Sequence, residues 1–228
     1  MQGTISIIVP VLNEEKILSA TLSSLSLSDR EELIVVDGGS TDETAAIASQ
    51  FTDKVFTTLK GRGRQMNFGG LRAEGDILLF LHADCSLPPG GFATIRETLR
   101  TPGTAAGAFD IRFTDRRPSL KITGFAANLR SRVTGIPYGD QGLFMTKAIF
   151  DKLGGFADIP LMEDIEISRR LKRAGKIVFV RPPISVSPRR LLNEGLVYAI
   201  ARDWTIALSF AFLNTSPERL IKHYKDIR

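Results

Sequence analysis

Gly75-Asp76-Ile77-Leu78-Leu79-Phe80-Leu81-His82-Ala83-Asp84 sets five large apolar residues in a row and ends them on an imidazole and a carboxylate. A run of this length without polar alternation is what a strand covered on both faces requires. Ile5 to Val11 is a second such run, broken by Pro10, and Leu33 to Val36 is a third, ending at Asp37-Gly38-Gly39. Between them, Glu14 to Leu25 carries Ile17, Leu18, Leu22 and Leu25 at helical spacing. Thr44 to Gln50 reads as another helix, which Ser40 or Thr41 can cap. A short strand near Val55-Phe56 and a helix over Gln65 to Ala73 lead into the quoted stretch. Strands and helices alternating over short links predict an α/β domain built on a doubly wound, mostly parallel sheet. Ligands of such sheets bind beyond the carboxyl ends of the strands, where Asp37, His82 and Asp84 stand.

Farther from that stretch the pattern is less regular. Ala105 to Phe113 predicts a strand, Leu120 to Val133 a basic helix, and Gly142 to Met145 the start of another strand. Asp164 to Ala174 predicts a helix that Gly175 stops, followed by the strand Ile177 to Val180. The chain has 228 residues, enough for one sizeable domain and too few for two ordinary ones, so a single domain is expected. A lone Cys85 excludes an internal disulfide, and the N-terminus shows no basic leader, so a reducing, cytoplasmic setting is expected. No uncharged apolar stretch is long enough to span a membrane. The net charge of +5 suits an anionic partner such as a nucleoside diphosphate or a lipid surface. Its cations are scattered, so no nucleic acid is expected. Leu196 to Leu213 and the basic tail Arg219 to Arg228 would serve the core, a homo-oligomer interface, or peripheral contact with the inner face of a membrane.

Four constellations carry chemistry. His82 and Asp84, two residues apart beyond a buried strand, can hold a hard divalent ion, with imidazole better suited to Mn²⁺ than to Mg²⁺; the same residues would also serve a loop turning into Pro88-Pro89. Asp37 at a strand end can accept the N–H of a nucleotide base, and Gly38-Gly39 lets a ligand approach the backbone; a capped turn would use the same residues. Glu163 and Asp164 open a helix, where carboxylates either cap the free N–H groups or take a proton from a hydroxyl. Gly61-Arg62-Gly63-Arg64 is not a dinucleotide fingerprint, because Met66 stands where a third glycine belongs; its arginines read as phosphate or ribose contacts, or as a solvated loop. A nucleotidyltransferase is disfavoured, since Asn13-Glu14-Glu15 follows the first strand where a Gly-rich, basic phosphate loop would be needed.

In their order, Pro10-Val11-Leu12-Asn13-Glu14, Asp37 to Asp42, Gly75 to Asp84, and Gly154-Gly155-Phe156 with Glu163-Asp164 resemble family 2 glycosyltransferases of the GT-A fold over residues 4–180. Tyr138 to Gln141 and Pro160 to Asp164 are similar to those of a small bacterial-type subgroup. The resemblance implies transfer from a UDP- or GDP-sugar to an acceptor hydroxyl, with inversion and with Mn²⁺ or Mg²⁺. The acceptor would be a small molecule, a glycan or a lipid-linked one. Pro10, Leu12, Glu14, Asp37 and Arg64 would bind the nucleotide, Asp84 would ligate metal, and Asp164 would be the general base with Glu163 as its neighbour. Two departures stand out: His82 replaces the first Asp of the DxD motif, and the C-terminal part offers only His223 as a further imidazole. Arg189 and Arg190 would neutralise the diphosphate, or form an exposed basic turn, while Gly139, Asp140 and Gln141 would shape the acceptor side. Residues 1–100 would then be a donor half, 101–190 an acceptor and base half, and 191–228 a C-terminal helical segment.

Overall fold

The computed structural model describes residues 3–212 and 216–220; His223 lies outside them. β1 (Ile5–Val11) leads to α1 (Leu18–Ser23), β2 (Glu31–Asp37), α2 (Thr44–Ala48), β3 (Val55–Thr57), α3 (Arg62–Arg72) and β4 (Ile77–Phe80). A short β5 (Cys85–Ser86) and α4 (Gly91–Arg100) precede β6 (Thr104–Phe113) and the long α5 (Pro118–Thr134). After a 3-10 turn at Gly139–Gln141 come β7 (Leu143–Thr146), α6 (Lys147–Leu153), α7 (Glu163–Ala174) and β8 (Lys176–Val186). Then follow α8 (Arg189–Glu194), α9 (Leu196–Phe212) and α10 (Pro217–Leu220). No helix among the described residues is long and apolar enough to cross a membrane.

The strands form one sheet in the order β3-β2-β1-β4-β7-β6-β8-β5. β1 to β4 pair in parallel, as do β6 and β8, whereas β7 runs antiparallel to β4 and β6. Every residue of β1 is buried, which is why its sequence is apolar without alternation. Ile5, Ile7, Val9 and Val11 enter one core with Leu18 and Leu22 of α1, Ala48 of α2 and Ile95 of α4. Ile8 enters the other, with Met66 of α3, Phe150 of α6, and Ile167 and Leu171 of α7. Helices therefore cover both faces, and the sheet is mostly parallel as expected.

Three local expectations are corrected. The first helix begins at Leu18 rather than near Glu14, because side chains of the β2–α2 loop take the preceding N–H groups. Asn13 N donates to Ser40 Oγ (2.8 Å), Glu14 N to Thr44 Oγ1 (2.8 Å) and Glu15 N to Asp42 Oδ2 (3.3 Å). Neither Ser40 nor Thr41 caps α2: Ser40 Oγ donates to Asp37 Oδ1, and Asp42 accepts the Thr44 N–H at 3.1 Å. β8 continues past Val180 to Val186, since Pro182 and Pro183 fall where its register with β6 shifts and no ladder donor is required.

Gln65 of α3 holds the carboxyl ends of β1 and β2 together. Its amide donates to Val11 O at 2.8 Å and to Val36 O at 2.9 Å, and the side chain is buried. Gln65→Leu keeps the volume and removes both bonds, so urea unfolding should show a loss of about 1–3 kcal/mol. A loss below about 0.5 kcal/mol would mean that packing alone fixes these strand ends.

Candidate active site

Beyond the carboxyl ends of β1 and β4 lies a cavity of about 410 Å³, closed by α5, the Gly139–Gln141 turn, the start of α7 and the start of α8. It brings together Pro10, Glu14, His82, Asp84, Gly139, Asp140, Asp164, Arg189 and Arg190. Leu12, Asp37, Arg64, Gln141 and Glu163 are not part of its lining. Asp37 is buried at the end of β2, where both its oxygens accept the Ser40 N–H at 3.1 Å. Arg64 pairs with Asp158 at 2.8 Å, outside the cavity, whereas Arg62 faces it. Two positions apart on a helix are about 200° apart in direction, so only one of these arginines can face the site.

The wall around Asp164 is built by backbone geometry. Met162 adopts φ 71°, a left-handed conformation that costs a non-glycine residue energy and turns the chain sharply into α7. Glu163 is thereby buried against Arg62 (3.0 Å), while Asp164 reaches the cavity. Asp164 Oδ2 accepts the Gly139 N–H at 3.1 Å and Oδ1 its neighbour Ile165 N–H at 2.8 Å. Burial and then the Glu163 charge push the Asp164 carboxyl up to about 6, against the opposing pull of Arg62 and the two N–H groups.

Gly139 is also in contact with His82: a Cβ there would lie 2.4 Å from His82 Cε1, so any side chain at this position would have to displace the imidazole. The turn is fixed from behind by buried Gln141, whose amide donates to Phe109 O (3.1 Å) and accepts from Ser131 Oγ (2.8 Å) and Tyr138 N (2.9 Å). Gln141 thus shapes the site without lining it. Asp140 faces the cavity near Asp84, and burial followed by the Asp84 charge raises its carboxyl above the ordinary value. Among the described residues no three His, Cys, Asp or Glu side chains gather closely enough to cage a metal. Two neighbouring carboxylates beside an imidazole still suit a divalent ion that takes its remaining ligands from phosphate oxygens and water, as Mg²⁺ commonly does.

Cations line the cavity too, Arg130 and Arg190 near enough to Asp140 to oppose the rise of its carboxyl. Arg189 at the start of α8 pairs with buried Glu14, and Arg190 with Asp203 of α9 at 2.8 Å. Arg202 reaches Glu194 at 2.6 Å, which ties α9 to α8 behind them. The two arginines therefore open a helix rather than sit in an exposed turn. Arg62, Arg130 and Tyr138 were not singled out as individual site residues by sequence; Arg130 stacks on the Tyr138 ring at 3.6 Å from its centroid. Arg62 stood in a run already read as arginine-rich, but nothing in the sequence marks a pairing between α5 and a turn eight residues on.

Residues 6–157 match the profile of Glycosyl transferase family 2. The chain is 25% identical over 201 residues to the probable glycosyltransferase YdaM of Bacillus subtilis, covering 75% of this chain and 47% of that protein. The matches span less than half the length of the curated relatives. In fold it is similar to the mannosyltransferase PcManGT of Pyrobaculum calidifontis, solved in complex with GDP-Man and Mn²⁺ (TM-score 0.63, 20% identity, 82% of this chain and 57% of that one). It is also similar to Staphylococcus aureus TarS 1-349 in complex with UDP-GlcNAc (TM-score 0.63, 18% identity, 81% and 58%). The doubly wound sheet with its cavity at the strand ends is thus the GT-A fold, and the chain belongs to glycosyltransferase family 2.

Proposed function

We propose that this enzyme transfers a glycosyl group from a UDP- or GDP-sugar to an acceptor hydroxyl with inversion at the anomeric carbon, using Asp164 as the base. The observation that carries the reading is the contrast between adjacent carboxylates: Glu163 is turned into an ion pair with Arg62, while Asp164 faces the cavity with its carboxyl pushed up to about 6. A base of that strength is ionised at neutral pH and still takes a proton readily. Asp164 accepts the proton of the acceptor hydroxyl, the oxygen bonds to the anomeric carbon from the face opposite the leaving group, and the nucleoside diphosphate departs with the bonding electrons. The Gly139 and Ile165 N–H groups hold the carboxylate in place for that transfer.

The donor would lie over the ends of β1 and β2, against Pro10 and Glu14. Leu12 and Asp37 would bound its base from the loops behind, Asp37 retaining lone pairs for a base N–H besides those engaged by Ser40. Arg64 would act from outside the cavity, and Arg62, Arg189 and Arg190 would offset the diphosphate charge. A divalent ion, Mn²⁺ or Mg²⁺, held by Asp84 and Asp140 with His82 beside them would neutralise the same leaving group. Residues 1–100 then form the donor half and residues 101–190 the acceptor and base half.

Asp164→Asn should lower kcat by roughly 10²–10⁴ with donor affinity nearly intact, whereas Glu163→Gln should cost less. Equal small losses in both would reduce the pair to a helix cap. Wild-type kcat/KM should fall tenfold per pH unit below about 6. Because the Asp164 carboxyl is raised in the folded state, its charge destabilises the fold once ionised. Asp164→Asn should therefore melt above wild type at pH 7, with the gap closing toward pH 4.

Removing divalent ions with EDTA should abolish nucleoside diphosphate release, and Mn²⁺ should restore it. His82→Asp should shift the preference toward Mg²⁺. Full turnover in EDTA, together with an active Asp84→Ala variant, would remove metal from the mechanism.

A further inference from the structure

The far wall of the cavity is apolar, formed by Ile111 and Phe113 of β6, Ile122, Ala126 and Ala127 of α5, and Leu191 of α8. This wall does not end at the cavity mouth. Ile122 is 69% exposed, and Phe125 (69%), Leu129 (53%) and Val133 (78%) follow it along the same side of α5 at spacings of three, four and four. Val197 (82%) and Tyr198 (59%) of α9 are exposed as well, on a helix whose Ala199 packs with Leu120 on the buried side of α5 and with Leu191 of α8. Six of the nine large apolar side chains that stand exposed among the described residues thus belong to these two helices. A helix packed by one apolar face should not need a second one in water.

The charge around the stripe points to its occupant. α5 carries Lys121, Arg130 and Arg132 and no acidic residue. Residues 110–135 hold six Lys or Arg against Asp110 and Asp115. Arg132 and Arg181 share Asp110, so that trio keeps a net positive charge, and Arg116 and Lys121 are exposed. Lys121 and Arg132 lie along one flank of the stripe, 60–80° from its centre by helical geometry. A second copy of this chain would bring like charges together across a two-fold axis, whereas an anionic surface gains from them. Apolar residues with a cationic flank are the composition of a helix lying in a lipid interface.

We propose that the Ile122–Val133 side of α5 docks on an anionic lipid bilayer, with the cavity mouth opening onto it. On the transferase reading above, a lipid-borne acceptor hydroxyl then reaches Asp164 along the apolar wall. Docking itself is tested without any acceptor. The protein should float with phosphatidylglycerol–phosphatidylcholine vesicles, bind pure phosphatidylcholine at least tenfold more weakly, and be released by high salt. Phe125→Ser with Leu129→Ser, neither of which lines the cavity, should weaken vesicle binding at least tenfold. Donor hydrolysis in solution should stay unchanged in this variant, and its absence from wild type would count against the transferase reading rather than the docking. Failure of wild type to float overturns the docking proposal, as does equal binding by the double variant. A dimer in light scattering that the double variant breaks, with no vesicle binding by wild type, would give the face to a second copy and equally overturn it.

Discussion

The site turns on one backbone N–H. Gly139 donates to Asp164 from one side and lies against the His82 ring on the other, with no room for a Cβ between them. The turn therefore couples the end of β4 to the start of α7, two elements far apart in sequence. Its rigidity comes from Gln141, whose buried amide is satisfied by three partners on β6, α5 and the turn itself. Moving the turn would leave this buried amide short of partners, a cost that holds the turn against β6 and α5.

Charges of both signs meet in the cavity around that turn. Asp140 shares an acidic corner with Asp84, where burial and then the Asp84 charge raise the Asp140 carboxyl, a situation that a cation relieves. Arg189 and Arg190 also line the cavity, Arg190 within electrostatic reach of Asp140, and their pairs with Glu14 and Asp203 fix their direction without cancelling that reach. Arg62 does the same for Glu163, and by doing so leaves Asp164 as the member of the acidic pair that faces the cavity.

The sheet was legible because β1, β2 and β4 must be apolar on both faces, and no helix of ordinary amphipathicity has that pattern. Helix starts were less legible: the N–H groups of Asn13 to Glu15 are claimed by Ser40, Asp42 and Thr44, a long-range contact that no local periodicity contains. That His82, Asp84 and Asp164, at strand and helix ends, would line one cavity was readable from position together with the family resemblance. Arg62 against Glu163 and Arg130 over Tyr138 were not, because each joins segments whose approach only the tertiary fold decides. The exposed side of α5 was partly hidden for another reason: with apolar residues on both sides, the helix shows little periodicity to read.

The stitching of the β1–α1 loop to the β2–α2 loop has a further consequence. Three successive N–H groups of one loop hang on three side chains of the other, and Asn13 returns the contact through its Oδ1 to the Thr41 N–H at 2.9 Å. Neither loop can change shape alone. Substitutions at positions 40, 42 and 44 should accordingly travel with those at 13 to 15 when this chain diverges, and grafting either loop by itself into a relative should carry over its residues but not its conformation.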